Sequence, residues 1–207
     1  MTGIQALERF HPTRPMRPGE LERQEFEYER HGVRSLIASL EVALGAILAP
    51  TIGPQRTEAN FAAHIENVIK TDPKGFWVFI TDQLNTHKSE SLVRLVAKHC
   101  NIKTDLGVKG ESGILKSMAT REQFLCDPTH RIHFVYTPKH SSWLNQIEIW
   151  FSILMRCVLK RGNFTSVEDL SEQVLNFINY FNQTLAKPFN WKYQPCRWTY
   201  DKTPLAA

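Results

Sequence analysis

The succession of apolar and polar positions divides the chain into strands and helices before any chemistry is considered. "VRSLIASLEVALGAILAPT" is apolar apart from a few positions such as Ser39 and Glu41, and reads as two short strands folded about Gly45, with a helix over "SLIASLEVAL" as the competing reading. In "RTEANFAAHIENVIK" the period changes: Phe61, Ile65, Val68 and Ile69 recur at helical spacing behind Thr57, whose hydroxyl can accept one of the orphaned N–H groups of a first helical turn. "GFWVFITD" is a bulky, β-branched run between a Pro-Gly turn and Asp82, which predicts a strand buried on both faces. The amphipathic "SESLVRLVAKH" follows, so strand, acid and helix come in the order of a β/α unit. After a loop-rich stretch at residues 101–131, "IHFVYTP" gives a second buried strand that Pro138 ends.

The next segment, "TPKHSSWLNQIEIW", begins a helix expected to run from a cap at Ser141 or Ser142 to Arg161, with Gly162 beyond it. Its apolar stripe uses Leu144, Ile147, Phe151, Leu154, Met155 and Val158, and Glu148 falls on the stripe's edge beside Leu144 and Ser152. An acid there can border the core and still face a cleft. "SVEDLSEQVLNFINYFN" opens with a capping box from Ser166 to Asp169 and keeps helical spacing through Leu170, Val174, Phe177, Ile178 and Phe181. The proline-rich "HPTRPMRPGE" can only be loop, and the tail with Trp191, Tyr193, Trp198 and Tyr200 has no period. Alternating strands and helices place the chain in the α/β class.

Composition narrows this picture only modestly. The 207 residues, 42% of them hydrophobic, suffice for one domain with an appendage. No apolar run has membrane-spanning length, and "MTGIQALERF" lacks the basic-then-apolar order of a signal peptide, so a cytoplasmic location is expected. Cys100, Cys126, Cys157 and Cys196 form no C-x-x-C pair, and neither a zinc site nor a disulfide framework is indicated. A net charge of +4 permits a polyanionic partner without requiring one. Arg14 and Arg17, Lys103, Lys109 and Lys116, and Lys139 beside His140 could meet phosphates or simply water.

Asp82 at a strand tip and Glu148 near a helix start are the candidate chemistry. Adjacent parallel strands would bring both to the carboxyl edge of one sheet, where ligands of open α/β sheets bind. Two carboxylates without a histidine or cysteine ligand set suit Mg²⁺ or Mn²⁺, the ions of in-line phosphoryl transfer. The alternative roles are structural: Asp82 capping the helix that follows, and Glu148 pairing with Arg156 or Lys139.

"ITDQLNTHKS", "YTPKHSSWLNQIEIWF" and "IQALERFHPTRPMRPGE" with the later "HGVRSLIASLEVALG" resemble the catalytic domain of DDE transposases of the Tc/mariner superfamily, in the branch carried by bacterial insertion sequences. The resemblance spans about residues 3–162 and leaves residues 163–207 as a C-terminal helix and aromatic tail. It implies a ribonuclease-H-like mixed sheet flanked by helices, and an acidic triad that binds two Mg²⁺ or Mn²⁺ ions. It also implies metal-dependent hydrolysis of DNA followed by strand transfer. Asp82 matches the second acid, in the "D-x-L-N-T-H" pattern, and Glu148 the third, in "W-L-N-Q-I-E". His87, Lys88, Lys139 and His140 are then candidate contacts to DNA, and the implied partners are transposon ends, target DNA, and full-length transposase or a second copy of the chain.

The chain departs from the family pattern in several places. Gln83 stands where many relatives have Asn, and residues 101–131 look inserted between the last two acids. The strand that carries the family's first catalytic Asp has no counterpart before "IQALER", and Glu8, Glu20 and Glu41 are poor replacements. Nothing resembles the helix-turn-helix that relatives carry before the catalytic domain. The expectation is a fold lacking its first, central strand, inactive alone, or a non-catalytic remnant that binds nucleic acid or associates with transposase.

Overall fold

The expected hairpin forms from β2 (Tyr28–Glu41) and β3 (Ala46–Gly53). Gly45 makes the turn possible, because its φ of 71° lies in the left-handed region that side chains disfavour. The computed structural model describes residues 3–188 apart from 12, 24, 140, 142 and 143, and the aromatic tail beyond residue 188 lies outside the described residues. Within that range the chain is a mixed α/β protein with five α-helices and two small sheets.

The first sheet is antiparallel in the order β1-β2-β3. Its partners divide β2 between them: β1 (Ile4–Arg9) runs beside the first half, Ile4 opposite Arg34 and Arg9 opposite Tyr28, while β3 runs beside the second half, Ser35 opposite Gly53 and Glu41 opposite Ala46. The second sheet is a parallel pair, β4 (Trp77–Thr81) and β5 (Ile132–Tyr136), aligned with Trp77 opposite Ile132 and Thr81 opposite Tyr136. Among the described residues no ladder joins the two sheets.

Each sheet has its own core. Helices α1 (Glu58–Ile69), α2 (Glu90–His99) and α3 (Met118–Leu125) pack with β4 and β5 around Phe61, Ile65, Val68, Leu92, Val96, Leu125, Phe79 and Phe134. Helices α4 (Ile147–Leu154) and α5 (Val167–Thr184) pack on β1 to β3 around Ile4, Leu36, Ile47, Trp150, Leu154, Leu170, Val174 and Ile178. The consecutive residues Leu36 and Ile37 enter different cores. Because neighbouring strand residues point to opposite faces, β2 is the wall between α1 and α4.

Capping follows the sequence where it was expected. The Thr57 hydroxyl accepts from the Asn60 N–H and the Ser166 hydroxyl from the Asp169 N–H, although the Asp169 carboxylate turns to the Thr165 N–H and leaves the expected box half formed; α2 is capped by Ser89, which accepts from Leu92, and not by Asp82. Three elements differ from expectation and a fourth, Ile4–Arg9, drew none. β4 is not buried on both faces: Val78 and Ile80 are 55% and 54% exposed, because α4 and α5 cover β1 to β3 instead. The helix carrying Glu148 starts at Ile147 without a side-chain cap and passes into a π turn, Met155–Leu159. Its buried stripe is turned toward Trp150, Phe151 and Leu154, leaving Leu144 and Met155 exposed. Residues 101–131, expected as loop, contain α3 and bury Leu115 and Leu125 completely, and Ile4–Arg9, which has no legible period, is a strand. No helix among the described residues is long and apolar enough to cross a membrane.

Candidate active site

The carboxylate of Asp82, at the tip of β4, is held by the chain that follows it. The Leu84 N–H donates to Oδ1 at 3.2 Å, and His87 Nδ1 stands 2.8 Å from the same oxygen and 3.3 Å from the Asp82 carbonyl. Both oxygens can only accept, so Nδ1 carries the proton and donates. Oδ2 has no partner among the described residues. The His87 ring lies against Phe61 with centroids 4.2 Å apart, and its side chain is 13% exposed. Burial lowers its pKa, the Asp82 charge opposes that, and Arg56 adds to it. The imidazole is therefore neutral at pH 7, with Nδ1–H fixed on the carboxylate and Nε2 left as an acceptor.

A second layer of contacts fastens this tip. The short 3₁₀ turn Asn85–Lys88 is anchored by the Tyr136 hydroxyl, which donates to the His87 carbonyl at 2.7 Å. The Gln83 amide donates to the Thr137 carbonyl at 2.9 Å and ties the end of β4 to the end of β5. Lys88 is buried, its ammonium bonded to Gln83 Oε1, 2.7 Å from Glu122 of α3 and 4.5 Å above the Tyr136 ring. Burial pushes the Tyr136 hydroxyl pKa up, so the donor to His87 stays protonated.

Glu148 enters from the other side, in the first turn of α4, its N–H donating to the Asn145 carbonyl at 3.0 Å. It is exposed, and among the described residues it has no salt bridge. Arg156 donates to the Ser152 carbonyl instead, and Lys139 stands exposed without a described ion pair. Asp82 and Glu148 line one cavity of about 510 Å³ between β2 and β4, together with Arg56, Asn145 and Gln146. Two separated parts of the sequence thus present oxygen donors to one space. That is the chemistry of a hard divalent cation, which takes oxygen ligands.

Of the three acids considered as a further ligand, Glu8 and Glu20 do not line this cavity. Glu41 lines the cavity but also adjoins Gly75 and Trp77 at the start of β4, a strand length of about 16 Å from Asp82. Glu8 bonds His31 at 2.6 Å, and these two with Glu29 have donor atoms within 4.8 Å of one another, the one such group of three among the described residues. Glu20 sits in the exposed loop closed by its backbone pairing with Arg17.

Of the residues proposed to contact DNA, His87 is turned onto Asp82 and Lys88 onto Glu122, Lys139 is exposed, and His140 lies outside the described residues. Sequence reasoning missed the fastening role of Tyr136 and Glu122 and the presence of Arg56. The first two depend on packing between β5, α3 and the turn, for which no spacing rule exists. Residues 2–171 match a family model described as a DDE superfamily endonuclease, a span that includes both Asp82 and Glu148. Neither the curated proteins nor the solved structures gave a match.

Proposed function

The chain belongs to the DDE superfamily endonuclease family, and from that premise we propose that it is the catalytic domain of a DNA transposase of the Tc/mariner type, of insertion-sequence origin, with a ribonuclease-H-like fold. Endonucleases of this superfamily act on DNA and generally use divalent metal ions. The observation that carries the reading is that Asp82, with one oxygen anchored and one free, and Glu148, without a salt bridge, open onto the same cavity. Their all-oxygen donor set fits Mg²⁺ or Mn²⁺. Such ions, when bound, activate an attacking oxygen and stabilise the leaving one at phosphorus.

The chain's own part is to hold the ligands. His87 Nδ1–H fixes Asp82 Oδ1, leaving Oδ2 free for a ligand, and its neutral ring adds no charge there. His87 is on this reading a positioning residue rather than a contact to DNA. The proposed reaction breaks the P–O3′ bond at the element's end with a water oxygen, and the freed 3′-hydroxyl then attacks a target phosphorus, losing its proton and displacing the target strand's own 3′-oxygen, which leaves protonated as a hydroxyl. Two carboxylates leave more positive charge uncompensated than three would, so a site built from Asp82 and Glu148 alone is expected to cleave poorly or not at all.

A second reading, a module that binds DNA or transposase without catalysis, is favoured by the cavity lining, which includes neither Glu8 nor Glu20 and meets Glu41 at the start of β4 and not at its Asp82 end. DNA retention separates the two. If Mn²⁺ strengthens binding of a terminal-repeat duplex and Asp82→Asn or Glu148→Gln abolishes that gain, the metal-site reading holds. Binding that depends on salt alone and ignores both substitutions supports the second. Efficient strand transfer by the isolated chain, lost in Asp82→Ala, would overturn the expected inactivity.

A further inference from the structure

Among the described residues that line the Asp82 cavity, Arg56 is the one permanent cation, since His64 and His87 are neutral at pH 7. Arg56 is partly buried, yet it makes no hydrogen bond or ion pair with another described residue. A charge drawn out of water ordinarily recovers the loss by pairing. The nearby acids do not supply that pair. Glu58, two residues on, stands 3.6 Å from Lys109, and Asp82 Oδ1 accepts from Leu84 and His87. Asp82 and Glu148 line the same cavity as Arg56 but form no ion pair with it. Opposite charges thus border one space without meeting, which leaves room for a group that meets both.

The local fold fixes the guanidinium at that place. β3 ends at Gly53, paired with Ser35, and the capping box of Thr57 and Asn60 sets the start of α1. Pro54, Gln55 and Arg56 alone span the interval between ladder and cap, and the proline ring restricts its own backbone. Arg56 stands at the Asp82 end of the cavity, because its field is felt by His87, which is bonded to Asp82.

The charges at this end specify a ligand. One divalent ion on Asp82 and Glu148 would balance both carboxylates, leaving the Arg56 guanidinium as a single positive charge. A phosphodiester carries a single negative charge, and its two non-bridging oxygens match the parallel N–H donors of a guanidinium. We propose that Arg56 grips the phosphodiester of a nucleic-acid strand entering this cavity, donating to its non-bridging oxygens opposite the cation held by Asp82 and Glu148. The same donors would stabilise the charge that grows on those oxygens when the phosphorus is attacked. The inference rests on the metal-site reading above and adds a substrate contact to it.

The test measures affinity of the full chain for a short fluorescent oligothymidylate in Mn²⁺ over a range of NaCl concentrations, with Mn²⁺ binding in the absence of the strand as the control. Arg56→Gln should weaken strand binding about tenfold and reduce the slope of log K against log salt by about 0.7, the share of one phosphate contact on a single strand. It should not weaken Mn²⁺ binding, because it removes a like charge. Arg56→Lys should restore the slope but only part of the affinity, since an ammonium lacks the parallel donors. An uncharged methylphosphonate strand should bind wild type and Arg56→Gln alike. Unchanged affinity and slope in Arg56→Gln, with wild-type binding still strengthened by Mn²⁺, would overturn the contact and leave the metal site standing. Wild-type binding that ignores Mn²⁺ but falls in Arg56→Gln would remove the metal site and support the contact. No binding of the strand by the wild type would overturn both, and a matching loss of Mn²⁺ affinity in Arg56→Gln would make Arg56 structural and overturn the proposal.

Discussion

Acidification should destabilise this protein through His64. The residue is 1% exposed on α1, its Nε2 2.8 Å from Ser39 Oγ on β2 and its Nδ1 3.2 Å from Thr51 Oγ1 on β3. Both hydroxyls can accept or donate, so hydrogen bonding tolerates either protonation state; the cost of charging the ring is desolvation. Burial holds its pKa at about 4 instead of 6.5. The unfolded chain therefore takes up a proton as pH falls through 6.5, while the folded chain resists until about 4. Stability from this group is complete above the higher value, declines between the two and levels off below the lower. At about 1.4 kcal/mol per pH unit the window is worth about 3 kcal/mol, a large share of the 5–15 kcal/mol typical of a domain. His87, whose pKa is also lowered, adds a loss of the same sign. Urea unfolding of the wild type and of His64→Gln, from about pH 7.5 to about pH 4, isolates the His64 part. The wild type should lose about 3 kcal/mol more than the variant over that range; curves that fall in parallel would refute the reasoning.

Other consequences can be checked by thermal or denaturant melts. Lys88→Met leaves Glu122, which is partly exposed, free to rehydrate and should cost about 1–3 kcal/mol, whereas Glu122→Gln takes the counter-charge from a buried ammonium and should cost more; the opposite ranking would show that the pair is not the fastening described. Thr57→Ala removes the capping box at the start of α1 and should cost about 1 kcal/mol. Thr57→Ser should recover most of that, and failure to do so would trace the loss to packing. His87→Phe should keep the ring's packing on Phe61 yet weaken Mn²⁺ binding by releasing Asp82 Oδ1, while an unchanged affinity would remove its positioning role.

The parts of the fold legible in the sequence are those in which one strong local signal acts. Thr57 and Ser166 announce their helices because a hydroxyl ahead of an apolar period has one main use, and the Gly45 hairpin follows from turn chemistry. Asp82 was legible as the acid ending a strand, and Glu148 as the polar residue on the margin of an apolar stripe. What escaped depends on partners distant in sequence. Val78 and Ile80 have the composition of a doubly buried strand, and only the placement of α4 and α5 over the other sheet exposes them. Ile4–Arg9 becomes a strand because β2 is long enough to pair beyond β3. Met118–Leu125 has little periodic apolar character, and it holds its place through Leu115 and Leu125 in the core and the Glu122 pair with Lys88. His87 and Lys88 looked like contacts for phosphate because their charge was visible in sequence and their burial was not.

The central claim is that Asp82 and Glu148 together hold a divalent cation. Paramagnetic broadening of amide NMR signals by trace Mn²⁺ tests it most directly, since the effect falls steeply with distance and needs no catalysis. The account predicts that signals of Asp82, Leu84, Asn145 and Glu148 broaden first and that Asp82→Asn or Glu148→Gln abolishes the effect. Broadening centred on Glu8, Glu29 and His31, unchanged by either substitution, would contradict it.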